Sequence, residues 1–247
     1  MNNPFTLQNK TILVTGASSG IGKGIAVECS KMGARIVITG RNEERLKATL
    51  DLLEGDGHIM IMADLDKQED IDQLIERMEA VDGLVLNAGM VIKSPVKLVN
   101  HNKLDKVFQT NFFAPVLITQ GLLKKKKLKK GGSIVLMSSI SSSYATIGNV
   151  LYASSKGALN SFMRVLALEV APNKIRVNAI QPSIILGTSI FSANPLHSEL
   201  FEWGDTCPLG RNGQPEDVAY ATVYFLSDAS NWVTGNVFNI DGGITLR

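Results

Sequence analysis

Cysteine and histidine are scarce in this sequence, which excludes the sites that these residues usually build. Only Cys29 and Cys207 occur among 247 residues, and the three histidines are scattered. Two cysteines far apart, without metal-ligand spacing, suit a reducing compartment better than a disulfide framework. We therefore expect no metal centre, no disulfide and a cytoplasmic location.

Long apolar runs and an excess of charge are also missing. No segment approaches the roughly 20 apolar residues of a membrane span, and residues 1–10 lack the basic start and apolar run of a secretory signal. The 25 basic and 23 acidic residues leave a formal charge of +2, too balanced to imply a nucleic-acid partner. We expect neither a membrane nor a nucleic-acid partner.

What the sequence does contain is a regular alternation of short apolar runs and helix-length segments. Hydrophobic residues make up 45% of the chain, enough to bury a substantial core. Runs rich in Val and Ile are typical of strands buried on both faces, and helices between them indicate a parallel sheet. We predict one α/β domain over residues 1–247, a doubly wound, seven-stranded parallel sheet with helices on both faces. The expected strands are residues 12–15, 36–39, 59–63, 84–87, 134–138, 175–180 and 237–240.

A glycine-rich loop stands between the first expected strand and an expected helix over residues 21–32. Glycines let the backbone approach a pyrophosphate, and a helix N-terminus offers free N–H groups and a positive dipole end. An ordinary loop could carry glycines too, but this position favours a dinucleotide site. The expected contacts are Gly16, Ser18, Ser19, Gly20, Ile21 and Gly22.

The end of the second strand decides which dinucleotide fits. A carboxylate there would accept hydrogen bonds from the ribose of NAD and would repel the 2′-phosphate of NADP. This sequence has Gly40, Arg41 and Asn42 instead, and a guanidinium suits phosphate. Arg41 could also be the first solvated residue of a charged helix. We favour NADP(H), because the acid is missing and a base stands in its place.

Tyr152 and Lys156 lie one turn apart on the same face of an expected apolar helix over residues 152–170. A phenol ionises at about pH 10, so it acts as an acid or base near neutrality only if a neighbour stabilises the phenolate. An ammonium one turn away can do this. An isolated pair with this spacing is more often a packed ring beside a solvated amine.

Ser139 follows the fifth expected strand, at the carboxyl edge where ligands of open α/β sheets bind. Its hydroxyl could hydrogen-bond a substrate carbonyl. Ser138 and the serines at positions 141, 142 and 143 are competing candidates that spacing alone does not separate.

Taken together, these motifs resemble the short-chain dehydrogenase/reductase family, and above all its 3-oxoacyl-[acyl-carrier-protein] reductases. The matching segments are residues 15–22, 87–89, 111, 139, 152–156, 208–217 and 234–243. The resemblance implies a single-domain Rossmann fold and selects Ser139, which stands 13 residues before Tyr152. It also implies that Tyr152 donates the proton and Ser139 orients the substrate, while Lys156 lowers the pKa of Tyr152 and holds the nicotinamide ribose.

The resemblance assigns Asn111 as a fourth catalytic residue, which would act through a proton-relay water. Pro115 stands four residues later and has no N–H, so inside a helix it would leave the Asn111 carbonyl unpaired and able to hold that water. The proline could equally be a kink placed for packing.

Further cofactor contacts are implied at the ends of two other strands. Asn87, Ala88 and Gly89 are expected to pass close to the cofactor. Asp64 and Leu65 are expected at its adenine, although Asp64 could equally cap the helix that follows.

The loop after the sixth strand departs from the family pattern. Members usually have Pro-Gly and then a threonine, whereas this chain has Pro182-Ser183 and places Thr188 one position later than expected. Pro182, Ile184 and Thr188 remain expected cofactor contacts, with an altered local geometry. Residues 187–207 turn irregular, and we expect an apolar lid over the substrate or packing against a neighbouring subunit.

Six lysines crowd residues 124–130. They would suit the solvated end of a helix, where cations meet the negative end of the dipole. They could also dock an acidic partner such as acyl carrier protein. Nucleic acid is disfavoured, because no aromatic residues are interleaved with the lysines.

Two expected helices, over residues 104–123 and 152–170, suggest assembly. They carry more apolar residues than one buried face each would need. In the short-chain dehydrogenase/reductase family, which this sequence resembles, these helices form a subunit interface. We therefore expect a homotetramer with twofold symmetries.

The leading hypothesis is NADPH-dependent reduction of a ketone to a secondary alcohol, with a 3-oxoacyl thioester as one candidate substrate. An NAD-linked alcohol, sugar or steroid dehydrogenase is a rival, and a non-catalytic, cofactor-sensing protein is another. The intact set of Ser139, Tyr152 and Lys156 argues against a pure sensor, because sensing needs no proton donor.

Overall fold

The computed structural model describes residues 3–188 and 204–246. Within these ranges seven strands form one sheet in the order β3-β2-β1-β4-β5-β6-β7, and every neighbouring pair is parallel. The expected fold class is confirmed, and the largest difference is that the fifth strand begins at Leu128. The strands are β1 (Thr11–Thr15), β2 (Arg35–Gly40), β3 (Ile59–Met62), β4 (Val81–Leu86), β5 (Leu128–Met137), β6 (Arg176–Pro182) and β7 (Val237–Ile240).

Helices connect successive strands and cover both faces of the sheet. Of the helices in the described ranges, none combines the length and apolar character needed to cross a membrane. The expected helices over residues 21–32 and 152–170 are confirmed. The α-helices are α1 (Gly20–Lys31), α2 (Glu43–Leu50), α3 (Gln68–Arg77), α4 (His101–Phe108), α5 (Ala114–Lys124), α6 (Val150–Val170) and α7 (Pro215–Leu226).

The interior strand β1 contributes side chains to two hydrophobic cores. Leu13 lies in one core with side chains of α3, α5 and α6, and Ile12 and Val14 lie in the other with side chains of α1 and α7. All three side chains are fully buried, as expected for a parallel strand covered on both faces. The sheet order reverses between β1 and β4, so a ligand crevice is expected at the carboxyl ends of these strands.

The expected helix over residues 104–123 is interrupted. α4 ends at Phe108, a π-helical turn occupies Gln109–Phe113, and the Ala114 N–H donates to the Gln109 carbonyl. Pro115 cannot donate the next backbone hydrogen bond. Widening the helix by one residue lets the chain pass this gap without a break, and such turns are frequent at functional sites.

The lysine-rich segment 124–130 joins α5 to β5 at the amino edge of the sheet. Lys125 pairs with Glu76, and Lys129 Nζ lies 2.8 Å from an Asp82 carboxylate oxygen. With Lys127, three of the six lysines contact other parts of this chain, which supports a structural role for the segment at the end of a helix. Lys127 Nζ donates to three carbonyl oxygens at the end of α3, those of Ile75 (2.9 Å), Glu76 (2.8 Å) and Met78 (2.6 Å).

Candidate active site

A cavity of about 530 Å³ opens at the carboxyl edge of the sheet. It brings together residues that are far apart in sequence, from the glycine loop after β1 to the first turns of α6 and the loop after β6. Most of the expected site residues line it, whereas Gly22 and Asn111 do not. The expected residues in the lining are Gly16, Ser18, Ser19, Gly20, Ile21, Arg41, Asp64, Leu65, Asn87, Ala88, Gly89, Ser139, Tyr152, Lys156, Pro182, Ile184 and Thr188.

The glycine loop has the geometry that a pyrophosphate needs. Gly16 has a φ of +65°, and a Cβ atom there would lie 2.9 Å from the Ala88 Cα, too close for any side chain. A Cβ at Gly22 would overlap the Gly16 carbonyl oxygen and the Asn87 amide. Gly22 therefore packs beneath the loop, and the bare backbone above it leaves room for a dinucleotide at the start of α1.

Asn87 holds the loop against the end of β4. Its Nδ2 donates to the carbonyl oxygens of Thr15 (3.0 Å) and Gly16 (3.3 Å). The Thr15 hydroxyl in turn accepts from the backbone N–H groups of Asn87 (2.9 Å) and Ala88 (3.1 Å). These bonds fix two walls of the cavity to each other. The Asn87 side-chain amide donates its hydrogen bonds to protein carbonyls and not into the cavity.

Arg41 lies at the end of β2, where the adenosine ribose is expected. Its Nη1 lies 3.8 Å from Asp64 Oδ1 and 3.6 Å from Asp66 Oδ2, and the side chain is 67% exposed. The Asp64 carboxylate accepts from the Asp66 N–H (3.3 Å), while α3 begins only at Gln68 with Lys67 at its N-cap position. Asp64 therefore shapes the loop before α3 and does not cap that helix.

Tyr152 and Lys156 meet Ser139 on the other side of the cavity. The Ser139 hydroxyl is near enough to the Tyr152 phenol to lower the pKa of Tyr152. Lys156 is 3% exposed, its Nζ lies 5.7 Å from the centre of the Tyr152 ring, and it donates to the Met137 carbonyl at 2.7 Å. A hydroxyl pair facing the cavity, backed by a buried ammonium, can polarise a carbonyl oxygen and transfer a proton to it.

The other serines of this segment have different partners. Ser139 Oγ accepts from the Ser141 N–H (3.2 Å), and it is the one serine of this segment that acts on the pKa of Tyr152. Ser138 Oγ donates to the Lys156 carbonyl (3.3 Å), Ser141 Oγ accepts from Asn149 Nδ2 (3.1 Å), Ser142 Oγ accepts from Asn160 Nδ2 (3.0 Å) and from Gln181 Nε2, and Ser143 Oγ donates to the Ile140 carbonyl (3.3 Å).

Burial sets the protonation of both catalytic candidates. Burial raises the pKa of Tyr152 to about 12, and the Ser139 hydrogen bond opposes this rise. Burial lowers the pKa of Lys156 to about 8, because desolvation disfavours a charged amine. Lys156 is not among the groups that shift the Tyr152 pKa, so the lowering of this pKa by Lys156, as expected from the resemblance, is not seen in this geometry. Near neutrality the phenol keeps its proton, as a proton donor must.

Asn111 lies in the π-helical turn and is fully buried. Its Oδ1 accepts from the Met90 N–H (2.8 Å), and its Nδ2 donates to the Met90 carbonyl (2.9 Å) and to Ser155 Oγ (3.0 Å). The side chain thus ties the segment after β4 to α6. A Cβ at Gly89 would lie 3.3 Å from Asn111 Oδ1 and 3.4 Å from Lys156 Nζ, so Asn111 lies close to Lys156. Its role in a proton relay remains a prediction.

The loop after β6 reaches the glycine loop despite its altered sequence. Ile185 forms an isolated parallel bridge with Gly213, and the Thr188 hydroxyl donates to the Ile185 carbonyl at 3.0 Å. A Cβ at Gly20 would lie 3.1 Å from Thr188 Cγ2. Thr188 therefore lies beside the start of α1. Of the expected lid over residues 187–207, the part from 189 to 203 lies outside the described residues.

One part of the cavity lining was missed by sequence reasoning. These residues come from the segment after β4 and the segment before α6, which carry no phosphate or proton-transfer motif. The available signal was their closeness in sequence to predicted site residues, because one segment follows Gly89 and the other precedes Tyr152. They include Val91, Lys93, Tyr144, Thr146, Ile147 and Asn149.

Comparison with known sequences points to one family. A family model described as Enoyl-(Acyl carrier protein) reductase matches residues 16–245. The 3-oxoacyl-[acyl-carrier-protein] reductase FabG of Rickettsia prowazekii is 34% identical over 240 residues, covering 97% of this chain and 98% of the relative. Versicolorin reductase stcU of Emericella nidulans is 33% identical over 257 residues, covering 97% of each.

Solved structures agree with this assignment. A putative NAD(P)-dependent gluconate 5-dehydrogenase from Beutenbergia cavernae, with NADP bound at low occupancy, has a TM-score of 0.89 and 30% identity, covering 99% of this chain and 100% of that one. A putative short-chain alcohol dehydrogenase from Sinorhizobium meliloti has a TM-score of 0.92 and 30% identity, covering 99% of each. The chain therefore belongs to the short-chain dehydrogenase/reductase family, oxidoreductases that use a nicotinamide cofactor on alcohol and carbonyl groups.

Proposed function

We propose that the protein reduces a ketone to a secondary alcohol with NADPH, and that Tyr152 donates the proton. The observation that carries this proposal is that Ser139, Tyr152 and buried Lys156 meet in the cavity that the glycine loop lines, with Lys156 Nζ 5.7 Å from the centre of the Tyr152 ring. 3-Oxoacyl thioesters are the first substrate class to test, because FabG proteins are among the relatives.

Each residue of the constellation has a distinct task. Ser139 donates to the substrate carbonyl oxygen and orients it, and Tyr152 transfers its proton to that oxygen as negative charge develops there. Lys156 supplies positive charge next to the phenol and hydrogen-bonds the nicotinamide ribose. NADPH, held along the glycine loop, supplies the hydride when bound. Asn111 positions the Met90 backbone and, through Ser155, the helix that carries Tyr152.

Arg41 supports the choice of NADPH over NADH. Its guanidinium is mostly exposed at the end of β2, where it can pair with a 2′-phosphate. NAD-linked oxidation of a sugar or alcohol is the second candidate, because Asp64 and Asp66 already lie within 4 Å of Arg41 and would repel a phosphate. Two neighbouring structures are described as putative gluconate dehydrogenases, which makes sugar acids the substrates to test for this candidate.

Replacing Tyr152 by Phe tests the proton donor. The ring keeps its packing but loses the hydroxyl, so turnover with NADPH should fall by about a thousandfold, since general acid catalysis contributes roughly 10²–10⁴-fold. NADPH affinity, measured by fluorescence titration, should stay within about twofold. Tyr220→Phe, on the exposed face of α7, is the matched control. Near-normal turnover in the Tyr152 variant would refute the assignment.

Replacing Arg41 by Asp tests the cofactor preference. A carboxylate should repel the 2′-phosphate, so kcat/KM for NADPH should fall at least about tenfold, as expected for the loss of a charge-assisted bond. The value for NADH should hold or rise. Arg45→Asp, exposed on α2, changes the same charge outside the cavity. An unchanged NADPH preference in R41D would show that Arg41 does not determine the cofactor, whereas a wild-type preference for NADH would favour the NAD-linked candidate.

Docking of acyl carrier protein at residues 124–130 remains a separate proposal. The segment lies at the amino end of β5, and Ser139 follows the carboxyl end of the same ten-residue strand. β5 bulges between Leu128 and Ser133, so at about 3.3 Å per residue of the neighbouring β4 the two lie roughly 25 Å apart along the sheet. A carrier bound there would need an arm of that length to reach Tyr152.

A further inference from the structure

Lys93 is an exposed lysine in the lining of the active-site cavity to which the reaction described above assigns no task. It stands four residues after Gly89, whose Cα neighbours Asn111 and Lys156. It is therefore on the catalytic side of the cavity, whereas Arg41 is at the end of β2. A cation in this position can contact a part of the substrate other than the carbonyl group that is reduced.

The other two positive charges of the lining have neighbours in the protein and are assigned to the cofactor. Arg41 lies within 4 Å of Asp64 and Asp66, and Lys156 donates to the Met137 carbonyl. Within residues 3–188 and 204–246, Lys93 forms no ion pair. The cavity residues of the two segments around Lys93, the one after β4 and the one before α6, are otherwise uncharged. They are Val91, Tyr144, Thr146, Ile147 and Asn149.

The backbone that carries Lys93 is held in place by its neighbour. Ser94 is 1% exposed, its N–H donates to the Gly148 carbonyl at 2.7 Å, and it forms a parallel bridge with Asn149. Lys103 Nζ donates to Ser94 Oγ at 3.2 Å. The segment that holds Lys93 is therefore fixed to the residues that lead into α6, three positions before Tyr152. A cation presented on a fixed backbone loses less entropy on binding a partner.

We propose that Lys93 binds an anionic group of the substrate, a carboxylate or a phosphate, while the ketone of the same molecule lies between Ser139 and Tyr152. This inference rests on the proposed function and adds to it a substrate class, ketones that carry a negative charge. Lys93 is then a specificity-determining residue, and it takes no part in proton transfer.

The test compares matched probes on the wild-type protein with NADPH bound. 5-Ketogluconate carries a carboxylate where L-sorbose carries a hydroxymethyl group. Acetoacetyl-coenzyme A carries the phosphate-bearing part of the coenzyme, which acetoacetyl-N-acetylcysteamine lacks. Binding is measured by the change in nicotinamide fluorescence, and turnover by NADPH oxidation. The anionic member of one pair should bind about tenfold to a hundredfold more tightly, the range expected for a charge-assisted hydrogen bond. The pair that shows the preference identifies the anion as carboxylate or phosphate.

Variants then assign the preference to Lys93. Lys93→Met should abolish it by raising KM for the anionic probe about tenfold or more, with kcat nearly unchanged. Lys93→Arg should restore it. Lys97→Met, an exposed lysine outside the cavity lining, should behave as wild type.

Two results would overturn the inference: no preference for an anionic probe in either pair, or equal losses for both members of a pair in Lys93→Met. If the anionic preference depends on Lys93 but no probe oxidises NADPH, the proposed reduction fails while the binding role of Lys93 stands.

Discussion

Lys156 carries an ammonium group into a position that is 3% exposed, next to a single backbone carbonyl. Its spacing from Tyr152 was predictable, because residues four apart share a helix face. The cost of its burial was not predictable, because desolvation depends on β5 and the loop after β4 packing over the amine. The same tertiary packing raises the Tyr152 pKa, against the sequence-based expectation.

The buried amine makes stability depend on pH in a defined direction. The pKa of Lys156 falls from 10.5 to about 8 on folding. Above pH 8 the folded chain releases this proton while the unfolded chain still holds it, so stability gained from this residue rises with pH until about 10.5. Relative to Lys156→Met, the wild-type free energy of unfolding should therefore increase by about 2 kcal/mol between pH 7.5 and 9.5.

Urea unfolding of the two proteins at both pH values measures this change. Other ionisations are common to the pair and cancel in the difference. Parallel pH profiles would show that Lys156 keeps its usual pKa in the folded chain.

At the level of elements, the glycine loop and α1 were predictable because their sequence order alone places them at the carboxyl edge of β1. The π-helical turn was not. Pro115 signalled a disturbance, but a kink and a widened turn have the same sequence signature. The choice depends on contacts of Asn111 with Met90 and Ser155, which come from other parts of the chain.

The end of α3 provides a test of the lysine-rich segment. Lys127 donates to three carbonyl oxygens there, at the negative end of the helix dipole. Lys127→Met should lower the free energy of unfolding by about 2 kcal/mol, because these carbonyls lose a charged donor. The exposed Lys130→Met should change it by less than about 0.5 kcal/mol.

Urea denaturation and hydrogen exchange in α3 distinguish the two variants. Equal stability of the two would mean that the lysines of this segment act only as surface charge.

At the scale of the whole molecule, alternation of buried strands and helices was enough to predict the sheet, because parallel topology follows from connection length and handedness. The rest of the cavity lining was predictable from the glycine loop, from the ends of single strands and from the spacing of Tyr152 and Lys156 on one helix. The part around Lys93 was not, because it forms where two loops meet through the contact of Ser94 with Gly148. No pattern within a short stretch of sequence predicts a contact between two distant loops.

Assembly is tested on the outer face of α6. Val165 and Leu168 are 56% and 78% exposed there, which supports the proposed subunit interface, since large apolar side chains three residues apart form one patch. Leu168→Glu should convert a tetramer into smaller species, because a charge would be buried without a partner.

Light scattering measures this mass directly. Leu52→Glu, at a 50% exposed position after α2, controls for added surface charge. A wild-type monomer would exclude the proposed tetramer.

The two cysteines described at the outset are both buried, Cys29 within α1 and Cys207 beside the Asp241 and Gly242 carbonyls. Burial raises the pKa of the Cys29 thiol far above its usual value, so the thiolate, which is the reactive form, is scarce in the folded chain. Oxidative damage is then gated by opening of the fold. The amount of oxidised Cys29 in an aged sample therefore reports how often α1, the helix that follows the glycine loop, has unfolded.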